Sequence, residues 1–523
     1  MTNYFQVAIS GVRIGLQWFD QRGSRARAAV LVVIFAVFAG IAPAQENAAL
    51  PMAPSALVAA LPGRDADPAK RDSFSEQTGG SATRFAGNVA VESAAAGSLP
   101  LGLDEAINLG LNHNIQVLLA NQTERAVHGQ ISTVAYQLLP NLKATAYSNA
   151  LEIDLAANGF KASSLAAFGF APGTVSTIVK VDTTSAQLSA DQVLFNLPDF
   201  YLYAAAKKAE SVVKLNVLNT RGALVLAVGT QYLAALADKA QIANHQALAT
   251  ADEEVLRQAT LSHDAGVGTN LDVLRARVQL QTEQQALVRA QNTFAKDKIA
   301  LNRLIGLPAD QELTLTDTVP YADLAELPLD QAKELGYQRR KDLLGLQAQL
   351  EVAERAHKAV KYERMPSLAF NGYYGVLGET QGLYHGVFTV QGVLKIPIFE
   401  EGRFRGEGEV VTAQQIGLAH QIDSLRVTID AQIRASRLDV ESSAELVKVA
   451  RSNVDLATQA LSDTRDRFAA GVDDNLPVVQ AQAALENAQS QLVATEFQFN
   501  QAKLSLARNT GVVETQYKQY LGR

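Results

Sequence analysis

There is no cysteine among the 523 residues. That excludes disulfides, thiolate metal sites, cysteine nucleophiles and a lipid attached to an N-terminal cysteine. Histidine is scarce. The seven (His113, His128, His245, His263, His357, His385 and His420) include no pair at the helical spacing of metal ligands. They are expected as solvated or packed imidazoles, and no metal or cofactor is expected. Positive charge is not in excess, since the net charge is −7, which argues against nucleic acid as a partner. A nucleophile–base set and a phosphate motif on a strand–helix junction are also missing, so no enzyme is expected. Long apolar runs are nearly absent. The exception, "AAVLVVIFAVFAGIA", follows Arg22, Arg25 and Arg27 and precedes "APAQE". It reads as a signal peptide over 1–44, cleaved after Ala44. No other segment reads as a membrane helix.

What is present is written twice. Residues 45–98 are rich in Ala, Ser, Gly and Pro and read as a flexible linker. Then "LDEAINLG" at Leu103 returns as "LDQAKELG" at Leu329, and "LLPNL" at Pro140 returns as "RMPSL" at Pro366, both 226 residues on. "AGVGTNLDVL" returns as "AGVDDNLPVV", with Gly471 205 residues after Gly266. The first copy carries extra residues around "NGFKASSLAAFGFAPG", a predicted loop. The division expected is a first repeat over 99–310, a connector over 311–328, and a second repeat with a C-terminal tail over 329–523.

The helices of the two copies match in detail. Val273, Leu280, Leu287, Phe294 and Leu301 recur every seven residues, and Val478, Leu485, Leu492, Phe499 and Leu506 repeat the same types. A sustained period of seven predicts side-by-side packing of coiled-coil type. From Asp199 to Ala265 there is no proline, which predicts a helix of roughly 100 Å. A second long helix is predicted from about Gly402 to Ala470. The helices Leu271–Ile305 and Leu476–Thr510, and the opening helices Leu103–Leu138 and Leu329–Met365, are about half as long.

Each copy also holds two strand-like segments. In the second, Phe388, Val390, Leu394 and Ile396 alternate with Thr389, Gln391, Val393 and Lys395. Such alternation marks either an outer-membrane barrel strand or a half-buried soluble sheet. In the first copy "KVDTTSAQLSADQ" alternates poorly. Two hairpins give four strands, too few to close a barrel. If they meet lipid, several chains must pool them, because open edges are not tolerated there.

Taken in order, "LDEAINLGLNHN…LLPNL", "AGVGTNLDVLRARVQL…ALNRLIG" and their second set resemble the TolC-type outer-membrane efflux and secretion channels, over about residues 99–515. The resemblance implies a mainly α fold with β: long coiled-coil helices plus two β-hairpins, trimerising into a β-barrel continued by a periplasmic α-helical barrel. It implies a homotrimer in outer-membrane lipid, docked to a periplasmic adaptor (membrane fusion) protein and through it to an inner-membrane pump or ABC transporter. On this reading the two Gly turns are the periplasmic tips, and Gly266, Val267, Leu271, Gly471, Val472 and Leu476 carry adaptor docking. Gly266 suits a left-handed C-terminal cap, and Thr269 or Asn270 can cap the next helix. Asp272 stands where the family places an acidic residue of the pore mouth. The second copy departs, with Pro477 and Gln480 at the acidic positions, and Asp473 and Asp474 supply charge nearby. Phe468 and Asp473 stand at the family's aromatic and basic latch positions. The expected function is a passive exit duct for efflux or type I secretion. The alternative is a periplasmic coiled-coil scaffold without a membrane barrel.

Overall fold

The structure is a computed structural model, and it describes residues 97–154, 156–157, 178–318, 322–324, 327–470 and 472–522. The expected signal peptide, nearly all of the expected linker, the loop around "NGFKASSLAAFGFAPG", and Gly471 lie outside them. The first repeat runs β1 (Leu99–Leu101), α1 (Leu103–His113), α2 (Ile115–Tyr136), β2 (Asn141–Asp154), β3 (Ile178–Phe195), α3 (Leu197–Asp264) and α4 (Asn270–Ile305). Then come β4 (Leu313–Leu315), α5 (Leu329–Arg339), α6 (Lys341–Tyr362), β5 (Ser367–Glu379), β6 (Tyr384–Lys395), α7 (Glu401–Ala469), α8 (Leu476–Asn509) and α9 (Val513–Leu521). The chain forms two compact units, one built of the long strands and one of the helices.

In the strand unit the order is β2-β3-β5-β6. β2 and β3 pair antiparallel, from Asn141 opposite Asp191 to Asp154 opposite Ile178. That register sets Leu142, Ala144 and Ala146 beside Ala190, Leu188 and Ala186 on one face. An apolar face therefore exists in the first copy, which the alternation of β3 alone does not reveal. In the second copy Phe388, Val390, Leu394 and Ile396 are all exposed. β2 and β6 stand at the two ends of the sheet, so each has one edge without a neighbouring strand among the described residues. β3 and β5 approach so closely that a Cβ on Gly375 would lie 2.5 Å from the Ala186 carbonyl oxygen.

In the helical unit α3 has 68 residues and α7 has 69, each about 100 Å long. α4 and α8 are about half that. Each opening helix differs from expectation, because it is two helices. Asn114 (φ −68°, ψ 129°) breaks the first and Arg340 (φ −66°, ψ 121°) the second, again 226 residues apart. The Asn114 side chain accepts from the Gln116 N–H at 2.9 Å and donates to the Leu304 carbonyl at 3.0 Å. Arg340 donates twice to Asp342 and once, at 2.6 Å, to Gln432. Each break thus exchanges helical bonds for side-chain ones that tie it down.

Two further elements were not expected. β4, within the connector, pairs parallel with β1, Leu99 opposite Leu313. α9, within the tail, is held by Tyr517 and Lys518 on Asp104 and by Glu514 on Arg221. These elements close the largest core, where Leu101, Leu103, Leu224, Val228, Tyr232, Leu301, Ile305, Leu504 and Leu521 meet. Contrary to expectation, one helix among the described residues proves apolar enough, by length and composition, to cross a membrane: an 18-residue window of α3 has mean hydropathy 1.3. Half of that window is buried inside the chain. Its composition suits a core helix, since α3 packs Leu224, Val225, Val228, Tyr232, Leu233 and Leu236 into this core.

Candidate functional site

The tip of the first repeat is a helix reversal. α3 ends at Ala265, and Gly266 takes φ +71°. The Gly266 N–H meets the His263 carbonyl at 2.9 Å and the Val267 N–H meets the Ser262 carbonyl at 3.0 Å. These two bonds make a Schellman cap, which a glycine at the left-handed position allows. Gly268 is needed for a different reason, because a Cβ there would lie 2.9 Å from that of Ser262. α4 then starts with a reciprocal capping box. The Thr269 hydroxyl donates to the Asp272 carboxylate at 2.6 Å and accepts from the Asp272 N–H at 3.2 Å.

In the second repeat the Val472 N–H meets the Arg467 carbonyl at 3.0 Å, the same reach as Val267 to Ser262. Pro477 lies in the first turn of α8. The cap here is Asp474, whose carboxylate accepts from the Leu476 N–H at 3.1 Å. Asn475 does something else. It is fully buried, and its amide donates to the Asp272 carbonyl at 2.7 Å. One tip is thereby bonded to the other within the subunit. Arg275 adds to the link, 3.4 Å from Asp474 and 3.8 Å from Asp272. Nothing in the spacing of the sequence pointed to Asn475 as a crosspiece.

The three carboxylates expected at the mouth are therefore not equivalent. Asp272 is only 8 % exposed and is committed to the cap of α4. Asp473 pairs with Arg467 at 2.7 Å, and this contact pushes the Arg467 pKa up. Asp474 is more open and faces Arg275. Around them Val267, Leu271, Leu274, Val472 and Leu476 are exposed, Val267 by 83 %. Behind the tips, Val273, Leu280, Val478 and Leu485 are buried, with Leu248, Val255 and Leu461 packed among them. Farther along, Leu301, Phe499 and Leu506 are buried, while Leu287, Phe294 and Leu492 are partly covered. No seam position is exposed.

Sequence reasoning also passed over a polar cluster inside the helical unit. His245 on α3 meets Glu283 on α4 at 2.6 Å, with Glu486 of α8 beside them. Burial, then Glu283, raises the pKa of Glu486. Its members come from three helices, so no local spacing announces it.

A family model described as "Outer membrane efflux protein" matches residues 106–307 and 335–512, one stretch in each repeat and more than half the chain. The chain belongs to this family. Members are channels and not enzymes, and they lie in the outer membrane of Gram-negative bacteria and reach into the periplasm. Among relatives, the pyoverdine export outer membrane protein OpmQ of Pseudomonas putida is 25 % identical over 295 residues, 54 % of this chain and 61 % of its own. The alkaline protease secretion protein AprF of Pseudomonas aeruginosa is 23 % identical over 347 residues, 64 % of this chain and 70 % of its own. The match thus spans about three fifths of OpmQ. The CmeC channel of Campylobacter jejuni has the same fold, with TM-score 0.65 at 14 % identity over 79 % of this chain and 86 % of that one. VceC of Vibrio cholerae has TM-score 0.64 at 17 % identity over 78 % of this chain and 96 % of that one.

Proposed function

We propose that the chain is one subunit of a homotrimeric exit duct in the outer membrane, without chemistry of its own. A periplasmic adaptor opens it and links it to an inner-membrane pump or ABC transporter. The observation that carries this reading is the four-stranded sheet with an apolar face and two edges that no other strand among the described residues covers. In hydrocarbon each unpaired backbone group costs several kcal/mol, so the edges must meet those of other subunits. Three chains pool twelve strands, enough to close a barrel around an open lumen. β2 and β3, with 14 and 18 residues, exceed the roughly 9–11 that a tilted strand needs to cross.

The adaptor contact falls on the tips. Val267, Leu271, Val472 and Leu476 expose apolar side chains beside the two helix reversals, the pattern of a partner surface. Asp473 and Asp474 form the acidic rim there, each with an arginine alongside, and Asp272 holds the turn behind them. Relatives are named both for pyoverdine export and for alkaline protease secretion, so an efflux pump and a type I secretion system are both open as the machinery this duct serves. Residues 99–310 and 329–523 are the two halves of the subunit, joined through 311–328.

Membrane fractionation with chemical cross-linking tests the assembly. The chain should sediment with outer membranes and cross-link to three copies. A soluble monomer would overturn the proposal. For the tips, Leu271→Asp with Val472→Asp should abolish transport while trimers still form, and normal transport by that variant would remove the adaptor role from these residues.

A further inference from the structure

Deep in the helical unit lies a cluster that the duct reading does not use. His245 of α3, Glu283 of α4 and Glu486 of α8 offer three ligand atoms that all lie within 4.8 Å of one another. Glu283 is 1 % exposed, and its carboxylate stands 2.6 Å from His245 Nδ1. Glu486 is partly covered.

Two neighbours show that the site is incomplete as a purely protein network. Asp252 is two turns from His245 on α3, is 2 % exposed and feels the charges of Glu283 and Glu486. Gln279 lies beside it, yet neither carboxylate oxygen meets a hydrogen-bond donor at bonding distance. Gln482 precedes Glu486 by one turn on α8 and is also 2 % exposed. Neither its Oε1 nor its Nε2 has a partner. Buried polar atoms left unpaired cost about 1–3 kcal/mol each, so a group of them around one point calls for something to fill it.

The charges say what sort of group. Asp252 feels the guanidinium of Arg465, whose Nε and Nη2 are themselves buried without a partner. Glu486 feels Glu283, and Asp252 feels both, so like charges crowd one buried region. Repulsion at this level is relieved by a divalent cation. One imidazole nitrogen with carboxylate oxygens, and no cysteine anywhere in the chain, is a donor set for a borderline cation such as Zn²⁺ rather than a soft one.

We propose that His245, Glu283 and Glu486 bind one Zn²⁺-class divalent cation per chain, with Gln482 or water completing a tetrahedral shell. The ion joins the α3–α4 hairpin of the first repeat to α8 of the second, a staple between the two halves of the subunit. Ligands on one zinc, bound at about 2.0–2.2 Å, stand a little over 3 Å apart. The three ligand atoms already lie within 4.8 Å of one another. Asp252 feels the charges of both glutamates, and a carboxylate near a metal site is the kind of group that orients a metal-bound imidazole or water.

The full chain, purified as its native assembly in detergent and stripped with a chelator, tests this with zinc ion as the probe. Titration against a chromophoric competitor should give one tight site per chain. His245→Ala and Glu486→Gln should each weaken it at least ten-fold while assembly is unchanged. Added zinc should raise the melting temperature of the wild type and not that of the variants. X-ray absorption on the wild type alone gives a reading even if a variant fails to assemble. It should show a histidine nitrogen among light-atom ligands at about 2.0–2.2 Å. No binding at micromolar zinc, equal binding by wild type and both variants, or a shell of oxygens without histidine would each overturn the proposal.

Discussion

Asn475 and Asp272 show how two neighbouring polar residues divide their work. Asp272 is readable from sequence as an acidic residue in a first helical turn, and its cap follows from the Thr-x-x-Asp spacing. Asn475 occupies the matching cap position but makes no cap bond of its own, because Asp474 meets the Leu476 N–H instead. Its amide is free to cross to the Asp272 carbonyl, a contact 203 residues away that no local pattern encodes. Asn475→Ala should therefore free the tips from each other without melting either helix. We expect a loss of about 1 kcal/mol, the usual result of losing one buried hydrogen bond. Faster amide exchange across residues 269–276, with the rest of α4 unchanged, would show it. Asp238 carries a second residue-scale prediction. Burial, with Asp297 beside it, pushes its pKa up from 3.8 to about 7. The folded chain thus keeps a proton that the unfolded chain loses above pH 3.8. Stability should fall as pH rises from about 4 to 7 and stay lowered above that. Asp238→Asn removes the effect. It should stabilise the protein by on the order of 1 kcal/mol at pH 8 and by nothing measurable near pH 4. Thermal melts of both proteins across that range decide it, and a pH-independent difference would contradict the assignment.

At the scale of elements, the long helices follow from periodicity and missing proline, and their ends lie within two residues of where the Pro, Gly and Asn signals put them. The breaks at Asn114 and Arg340 do not follow in the same way. "NHN" and "RRK" contain no helix breaker, and the turn is imposed by bonds to Leu304 and Gln432, far along the chain. Tertiary contacts there override local propensity, and the duplication copies the result. The sheet gives a milder case. β5 and β6 alternate visibly, whereas the apolar face of β2 and β3 needs the register, because alanines make most of it. Glycines separate local from tertiary demands well. Gly306 ends α4 at φ +83°, and a Cβ there would lie 2.4 Å from that of His113. Gly129 sits inside α2, exposed, with nothing within 4 Å of the same atom. Gly306→Ala should destabilise by about 1–3 kcal/mol through a strained backbone and a clash against α1. Gly129→Ala should stabilise by up to about 1 kcal/mol through helix propensity alone. Denaturant melts of the two variants should shift in opposite directions.

For the whole molecule, what the sequence could say was set by what a single chain can satisfy. Within one repeat, buried seams and capped ends settle the helices. Four strands settle nothing alone, since β2 and β6 each leave an edge that no strand among the described residues fills. The lack of cysteine turns this into a clean experiment, because every thiol introduced is the only one on its element. Leu142→Cys on β2 can be combined with a single cysteine walked along β6 from Phe388 to Lys395. If β2 of one subunit pairs with β6 of the next, a few positions bring the two thiols within the roughly 4.4–6.8 Å Cα separation that a disulfide spans. Oxidation should then yield covalent trimers at those positions and not at their neighbours. The period of two along β6 should appear in the yield, because alternate side chains face opposite sides of the sheet. A closed ring needs both edges of every chain engaged, so linked dimers should appear only as intermediates of incomplete oxidation. Cross-linking at no position, or equally at all of them, would mean that the edges are covered by something other than the same chain.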